Sequence, residues 1–210
     1  MSNFEIEKIC DKYNITNYTI NDDGSIDVNN SVYLDYYELT ELPLKFNKVF
    51  GIFSCSRTGL TSLEGGPKYV GGNFDCSNNI LTDLKGSPKE VDGNFYCNNN
   101  KITSLEFGPE VINGIYSSQN NDLYDIYGLK TKGYHYIYLN NNPISNVFIN
   151  KNGFNEFDSR LATYFNSAKI IEKKNNEYSV NIKRLQYLQT MFENKIDTIK
   201  IAKFYDINYL

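Results

Sequence analysis

The sequence of 210 residues has no tryptophan and a single histidine, His135. It also has no run of 18 apolar residues, so no segment has the length and character of a membrane-spanning helix. The first residues, Met1-Ser2-Asn3, do not begin a secretion signal. The net charge of −4 gives no overall indication of nucleic-acid binding. We therefore expect a cytoplasmic protein that does not enter a membrane.

Motifs of known catalytic chemistry are also missing. The sequence has no Walker phosphate-binding loop, no His-Glu-x-x-His zinc motif and no Gly-x-Ser-x-Gly elbow. His135 stands where other units have glycine, and no cysteine or serine accompanies it at a fixed spacing that would make it a catalytic base. The sequence therefore predicts a protein without enzymatic activity and without a cofactor.

Three of the four cysteines, Cys55, Cys76 and Cys97, are 21 residues apart. Zinc sites use close pairs such as Cys-x-x-Cys, often with histidines, and this spacing does not match them. In neighbouring strands, which lie about 4.8 Å apart, a disulfide is not excluded by distance, but a reducing cytoplasm opposes it. We expect small buried thiols and no metal site.

The sequence does contain one pattern written three times between Gly51 and Gly114. The copies read GIFSCSRTGLTSLEGGPKYVG, GNFDCSNNILTDLKGSPKEVD and GNFYCNNNKITSLEFGPEVIN. A constant spacing of 21 residues is typical of a solenoid, in which each repeat covers the apolar face of its neighbour. Weaker copies on both sides extend the array to about six units over residues 30–150.

Within one unit the residues indicate a strand, a bend and a return. Phe74-x-Cys76 alternates like a short strand with one buried face. Asn79 follows where the chain leaves the strand, and its amide can bond backbone groups that no strand ladder reaches. Leu81 and Leu84 turn back beneath the strand, and a Gly-x-Pro segment favours a non-helical return. We predict a β-rich repeat solenoid with a parallel sheet on one face and turns or extended chain on the other.

The spacing from Phe74 through Asn79 to Leu84 matches the core of a leucine-rich repeat, Leu-x-Leu-x-x-Asn-x-Leu. The segments NDDGSIDV, ELTELPLKFNKVFGIF and LTSLEGGPKYVGGNFDCSNN resemble leucine-rich repeat proteins encoded by tailed, T4-like bacteriophages. The resemblance covers about residues 17–147. It implies a leucine-rich-repeat-like fold and a location in the host cytoplasm during infection, and it implies no shared catalytic activity.

The two ends of the chain depart from the repeat. Residues 4–13 favour a short amphipathic helix, and residues 18–20 and 26–28 favour a hairpin around Asn21-Asp22-Asp23-Gly24. We expect residues 1–29 to form a helix-hairpin cap over the open strand edge of the first repeat.

Residues 151–210 have apolar positions at helical spacing and predict two or three helices that form an α-helical C-terminal cap. This tail carries basic residues that form either a solvated helix face or a patch for an acidic partner or nucleic acid. They are Lys173, Lys174, Lys183, Arg184, Lys195, Lys200 and Lys203.

Alternation along each strand sends every second side chain outward onto the sheet, where packing does not dictate its identity. Tyrosines among small polar groups are typical anchors for a protein partner. The outward residues that we predict to bind a partner are Tyr33, Asp35, Ser54, Asn73, Asp75, Tyr96, Asn98, Ser117, Gln119, Tyr136, Tyr138 and Asn140.

The sequence thus predicts a non-enzymatic protein-binding module, most simply a phage-encoded inhibitor or modulator of a host protein that occludes a site on it. Two alternatives stay open from the sequence. One is a structural or self-assembling phage protein, and the other is an adaptor that contacts nucleic acid through the basic tail.

Overall fold

The computed structural model describes residues 1–147, 156–157, 159–175, 177–192 and 201–208. Within these ranges the chain forms a β-solenoid of about five turns with parallel sheets and three α-helices. No helix in the described ranges combines the length and the apolar character that crossing a membrane requires.

The elements, in chain order, are α1 (Asn3–Lys12), β1 (Tyr18–Ile20), β2 (Ile26–Val28), β3 (Val32–Tyr33), β4 (Phe46–Val49), β5 (Phe53–Ser54), β6 (Tyr69–Val70), β7 (Phe74–Asp75), β8 (Glu90–Val91), β9 (Phe95–Tyr96), β10 (Val111–Ile112), β11 (Tyr116–Ser117), β12 (Ile137–Tyr138), a 3-10 helix (Pro143–Asn146), β13 (Glu156–Phe157), α2 (Ser159–Ser167), β14 (Ile171–Lys174), β15 (Glu177–Asn181), α3 (Ile182–Phe192) and β16 (Asp206–Asn208).

The first sheet collects the Phe-x-Cys strands of successive repeats. Strands β3, β5, β7, β9, β11 and β12 pair in parallel, and β13 adds to β12 in the antiparallel direction. The register follows the 21-residue period, so that Phe53 pairs with Phe74 and Phe74 with Phe95. This is the parallel sheet that the sequence predicts.

A second sheet lies in the return segments, where the sequence analysis expected only turns or extended chain. Strands β4, β6, β8 and β10 form a parallel ladder, which the β1–β2 hairpin extends at its β2 edge. This ladder was not predicted because three of its four return strands offer one buried apolar residue and no visible alternation. The period that aligns the first strands also aligns Val49, Val70 and Val91, whose extended backbones pair side by side.

The interior between the two sheets is a stack of matching side chains. The rings of Phe53 and Phe74 are parallel with centroids 5.5 Å apart, and those of Phe74 and Phe95 are 5.3 Å apart. Tyr116 continues the column at 5.0 Å with its ring turned edge-on. All four side chains have no exposed surface, so each coil seals its neighbour.

A column of buried asparagines closes the bend after each strand of the first sheet. The side-chain oxygen of Asn79 accepts the backbone N–H groups of Thr58, Gly59 and Leu60 at 2.9–3.1 Å. Its amide nitrogen donates to the carbonyl of Cys55 at 2.9 Å. The same device recurs at the positions one period apart: Asn100, Asn121 and Asn142. The predicted role of Asn79 is confirmed.

The terminal segments carry the elements that flank the solenoid. Helix α1 begins with a capping box in which Ser2 and Glu5 bond each other's backbone N–H, and it buries Ile6 and Cys10. The tail contains α2, α3 and a third sheet of β14, β15 and β16. The prediction of helices alone was therefore incomplete, because it did not include this sheet. Two of the four residues of the third helical set expected in the tail, Ile196 and Ile199, fall in residues 193–200, outside the described residues, whereas Ile201 and Phe204 are described.

Candidate protein-binding face

The outward residues of the first sheet form what we call the sheet face: positions 31, 33 and 35 and their equivalents at each 21-residue step up to 136, 138 and 140. Phe74 and Phe95 are fully buried beneath it, whereas Asp75 and Tyr96 are half-buried and lie on the outer side. The predicted alternation of inward and outward residues is therefore confirmed.

The middle column of the face is held in register by the strand pairing. Tyr33 lies beside Ser54, Ser54 beside Asp75, and Asp75 beside Tyr96. Ser117 continues the column between Tyr96 and Tyr138. Ser54 and Ser117 are buried, because each short side chain lies between two longer ones. Along the column, the buried serines therefore lie lower than the longer side chains on either side of them.

The tyrosines of the sheet face are spread along its whole length. Tyr33 near the N-terminal end is 55% exposed, and Tyr136 near the other end is 47% exposed. Tyr96 and Tyr138 are half-buried, and the amide of Asn94 donates to the Tyr96 hydroxyl at 2.8 Å. This bond holds the Tyr96 side chain in one orientation before any partner binds.

The first column of the face has a structural role that the sequence analysis did not foresee. The side chain of Asn73 accepts the backbone N–H of Asn94 at 2.8 Å, and that of Asn94 accepts Ile115 N–H at 2.7 Å. Ser31 does the same for Ile52 at 2.9 Å. These groups extend the inter-coil ladder beyond the two-residue strands, so the identity of Asn73 has an explanation in the fold alone.

The third column is tied together by side-chain hydrogen bonds. One carboxylate oxygen of Asp35 accepts the hydroxyls of Ser54 at 2.5 Å and Ser56 at 2.6 Å. Farther along, Gln119 donates to Asn140 at 3.2 Å. A longer contact of 3.5 Å joins Ser117 to Asn98. The polar residues of the face are thus ordered by one another.

A second row of asparagines borders the face and was not singled out from the sequence. Asn99 donates to Asn78 at 3.1 Å, and Asn120 donates to Asn99 at 2.8 Å. These residues have φ near +57°, a conformation that asparagine tolerates better than most residues. The signal in the sequence is the Asn-Asn pair at the same place in successive repeats.

The charge of the sheet face is one-sided. All of its positions lie in the described part of the chain; the charged ones are Asp35 and Asp75, and none is lysine, arginine or histidine. One oxygen of Asp75 accepts the backbone N–H of Ser77 at 2.8 Å. A basic residue, Arg57, lies at the bordering bend, where its guanidinium is 5.5 Å from the centre of the Tyr36 ring and donates to the Tyr36 hydroxyl.

Two basic residues of the tail, Arg184 and Lys173, have partners within the chain. Arg184 forms an ion pair with Glu172 at 2.9 Å. The ammonium of Lys173 lies over the ring of Tyr178 at 5.0 Å, and a hydrogen bond to that tyrosine raises the pKa of Lys173. The other described members of the predicted patch are exposed: Lys174, Lys183 and Lys203. Lys195 and Lys200 lie outside the described residues.

A tyrosine cluster that was not predicted from the sequence joins the tail to the last coils. The rings of Tyr124 and Tyr178 are stacked at 4.8 Å, and the hydroxyl of Tyr205 donates to the carbonyl of Tyr124 at 2.6 Å. An open cavity of about 540 Å³ lies beside them. Tyr124 and Tyr205 are 81 residues apart in the chain, so no local sequence pattern could predict their contact.

The cysteines of the repeat lie inside the solenoid, whereas the single histidine lies on its surface. Cys55, Cys76 and Cys97 are free thiols without exposed surface, as predicted, and burial raises the pKa of each. His135 is exposed. In the part of the chain that the structure describes, no three histidine, cysteine, aspartate or glutamate side chains converge where they could hold a metal ion.

Comparison of the chain with protein-family models, with curated proteins and with solved structures finds no match.

Proposed function

We propose that this chain is a non-enzymatic protein-binding module that covers a site on its partner with the sheet face. The observation that carries the proposal is the contrast between the two sides of one strand. Inward positions repeat phenylalanine and cysteine, while the middle outward column runs Tyr, Ser, Asp, Tyr, Ser, Tyr. Packing accounts for the first set and does not account for the second.

The size and order of the face support this function. Five strand spacings of about 4.8 Å give a length of roughly 25 Å, comparable with the extent of a standard interface of about 800 Å² per partner. Hydrogen bonds such as Asn94 to Tyr96 and Ser54 to Asp35 hold its side chains in place. Side chains that are already ordered lose less entropy when a partner binds.

The setting that we propose follows from the resemblance of the repeats to leucine-rich repeat proteins of tailed bacteriophages. In that setting the chain acts in the host cytoplasm as an inhibitor or modulator of a host protein. The terminal segments would serve as caps that protect the first and last coils from pairing with other chains. Inhibition would need no chemistry, since a bound solenoid blocks access to the surface it covers.

The test is affinity purification of the full chain from infected host cells, followed by mass spectrometry, with a paired set of variants. The double substitution Tyr96→Ala and Tyr138→Ala removes two rings of the face. We expect it to abolish capture of the partner while the thermal unfolding temperature changes little. The control, Tyr69→Ala with Tyr187→Ala, removes two rings from other surfaces and should leave capture intact.

Capture that persists in the Tyr96→Ala and Tyr138→Ala protein would overturn the assignment to this face. Sedimentation of the purified wild-type chain separates the proposal from a self-assembling role. A binding module sediments as a defined monomer across concentrations, whereas an assembling protein forms larger species as concentration rises.

A further inference from the structure

The sheet face holds two carboxylates that form no ion pair with any residue the structure describes. Asp35 and Asp75 are both half-buried. The ion pairs of the described residues join other groups, namely Lys45 with Asp23, Lys85 with Asp83, Lys89 with Glu110 and Arg184 with Glu172. Each face carboxylate uses one oxygen for hydrogen bonds within the chain. Two negative charges are therefore presented outward on a surface without a basic residue.

Each carboxylate has a tyrosine at a neighbouring position of the face. Asp75 is the direct strand neighbour of Tyr96. Asp35 is two residues from Tyr33 on the same outer side. A carboxylate and a tyrosine at neighbouring outward positions suit a guanidinium group, which can donate two hydrogen bonds to the carboxylate and stack on the ring.

The chain uses part of this chemistry itself at the border of the face. The Arg57 guanidinium lies 5.5 Å from the centroid of the Tyr36 ring and donates to the Tyr36 hydroxyl. A lysine makes a similar contact between a cation and a ring in the return loops, where the Lys85 ammonium lies 5.2 Å from the centroid of the Phe107 ring. At Asp75 and Tyr96 the acceptor and the ring are present, and the cation has to come from outside.

We infer, on the premise of the proposed function, that the sheet face binds a protein segment through arginine side chains. One arginine pairs with Asp75 and stacks on Tyr96, and a second pairs with Asp35 near Tyr33. The two residues are two strand spacings apart across the sheet and two residues apart along the strand direction, so their Cα atoms are roughly 12 Å apart. Three residues of extended chain cover roughly 10–11 Å, and the long arginine side chains reach the remaining distance, so two arginines separated by two residues match the face.

A titration of the ¹⁵N-labelled full chain followed by NMR tests this inference. The probe is the capped synthetic peptide Arg-Gly-Gly-Arg, and the comparison peptides are Lys-Gly-Gly-Lys and Glu-Gly-Gly-Glu. We expect saturable shifts of the backbone amides of Ser54, Asp75 and Tyr96 with the arginine peptide. The lysine peptide should bind several-fold more weakly, and the glutamate peptide should leave these amides unchanged.

Charge-matched variants separate a local site from general attraction to an acidic protein. The double substitution Asp35→Asn with Asp75→Asn should weaken the arginine peptide at least tenfold, while asparagine still accepts the internal hydrogen bonds. The control, Glu64→Gln with Glu106→Gln, removes the same charge from exposed positions on the return loops. It should change the affinity less than twofold.

An equal loss of affinity in the two charge variants, or shifts that lie away from the sheet face, would overturn the inference. Capture of the partner from infected cells distinguishes failure of the arginine inference from failure of the proposed function. A partner that is lost with Tyr96→Ala and Tyr138→Ala but kept with Asp35→Asn and Asp75→Asn leaves the binding face in place and refutes the arginine contact. A partner kept by both pairs refutes both proposals.

Discussion

The side-chain oxygen of Asn100 accepts the backbone N–H of Leu81 at 3.0 Å, although the two residues belong to different coils. The amide nitrogen of the same side chain donates to the carbonyls of Cys76 and Cys97, both at 3.1 Å. One asparagine thus satisfies backbone groups of two coils at the bend, where the strand ladder has ended. Without it, the buried N–H of Leu81 would have no protein partner, and the carbonyls of Cys76 and Cys97 would each keep only the bond from Asn79 or Asn121.

Substitution of Asn100 by alanine is therefore expected to cost about 2–4 kcal/mol of unfolding free energy, since three buried backbone groups lose a partner at about 1 kcal/mol each. Urea denaturation followed by circular dichroism measures the loss. The matched control is Asn98→Ala, two residues earlier on the sheet face, where the side chain accepts one long contact from Ser117. It should change stability by less than about 0.5 kcal/mol. Similar losses in the two variants would contradict the role given to the bend.

Two glycines that both have positive φ distinguish the cost of conformational strain from the cost of steric exclusion. Gly86 has φ +86°, and a Cβ placed on it would lie 2.2 Å from the carbonyl oxygen of Leu63. Gly24 has φ +74° in the β1–β2 turn, with nothing within 4 Å of such a Cβ. We expect Gly24→Ala to cost about 1 kcal/mol from strain alone. Gly86→Ala should cost more than about 3 kcal/mol, because coils cannot stack at their normal spacing around the added methyl group.

Soluble yield and urea midpoints of the two variants measure this difference. A Gly86→Ala protein as stable as Gly24→Ala would show that the coils can separate locally to admit a methyl group, and that the tight approach at the return corner is not required for stacking.

The first sheet could be predicted from the sequence because its information is local and repeated. Alternation marks Phe74 and Cys76 as inward, and the 21-residue period places the next coil beside them. The second sheet was missed because Val70 is a lone apolar position between Tyr69 and Gly71, and its partners are defined only once the coils are stacked. Strand β14 was missed because Ile171 is followed by three charged residues, and β15 was missed although Tyr178 and Val180 alternate with polar residues.

The candidate site was predictable in outline and not in detail. The side of the strand that carries Asp75 and Tyr96 follows from the period of two residues. That Asn73 uses its oxygen on the next coil, and that Ser54 is closed off from solvent, depends on side chains one coil away. The identity of a residue at an outward position therefore depends on two requirements: it completes the hydrogen-bond ladder between coils, and it forms part of the exposed surface.

The buried cysteines predict a loss of stability at alkaline pH. Burial raises the pKa of the Cys97 thiol from its ordinary 9.0 to about 12. Above pH 9 the unfolded thiol ionises while the folded thiol keeps its proton, so its contribution is complete below pH 9 and is lost as pH rises toward 12. Between pH 8 and pH 10 the wild-type protein should lose about 1.4 kcal/mol more than Cys97→Ala does.

Denaturant midpoints measured at both pH values, with a reductant present, give the two losses. The control is Val91→Ala, which also removes buried volume but keeps every thiol. Its loss between pH 8 and pH 10 should equal that of the wild-type protein. A Cys97→Ala protein with the wild-type pH dependence would show that the thiol is accessible enough to ionise in the folded state.

The hydroxyl of Tyr116 ends the ring column with a polar group that has no hydrogen-bond partner among the described residues. It points toward Gly108, where a Cβ would lie 2.7 Å from it. A buried hydroxyl without a partner costs about 1–3 kcal/mol relative to its hydrated state. Tyr116→Phe should therefore leave the protein equally stable or more stable by about 1 kcal/mol. The reciprocal change, Phe95→Tyr, adds a hydroxyl to a fully buried ring and should destabilise by at least about 1 kcal/mol. Calorimetric unfolding of both variants checks the pair, and a destabilised Tyr116→Phe protein would mean that the hydroxyl bonds a group inside the coil.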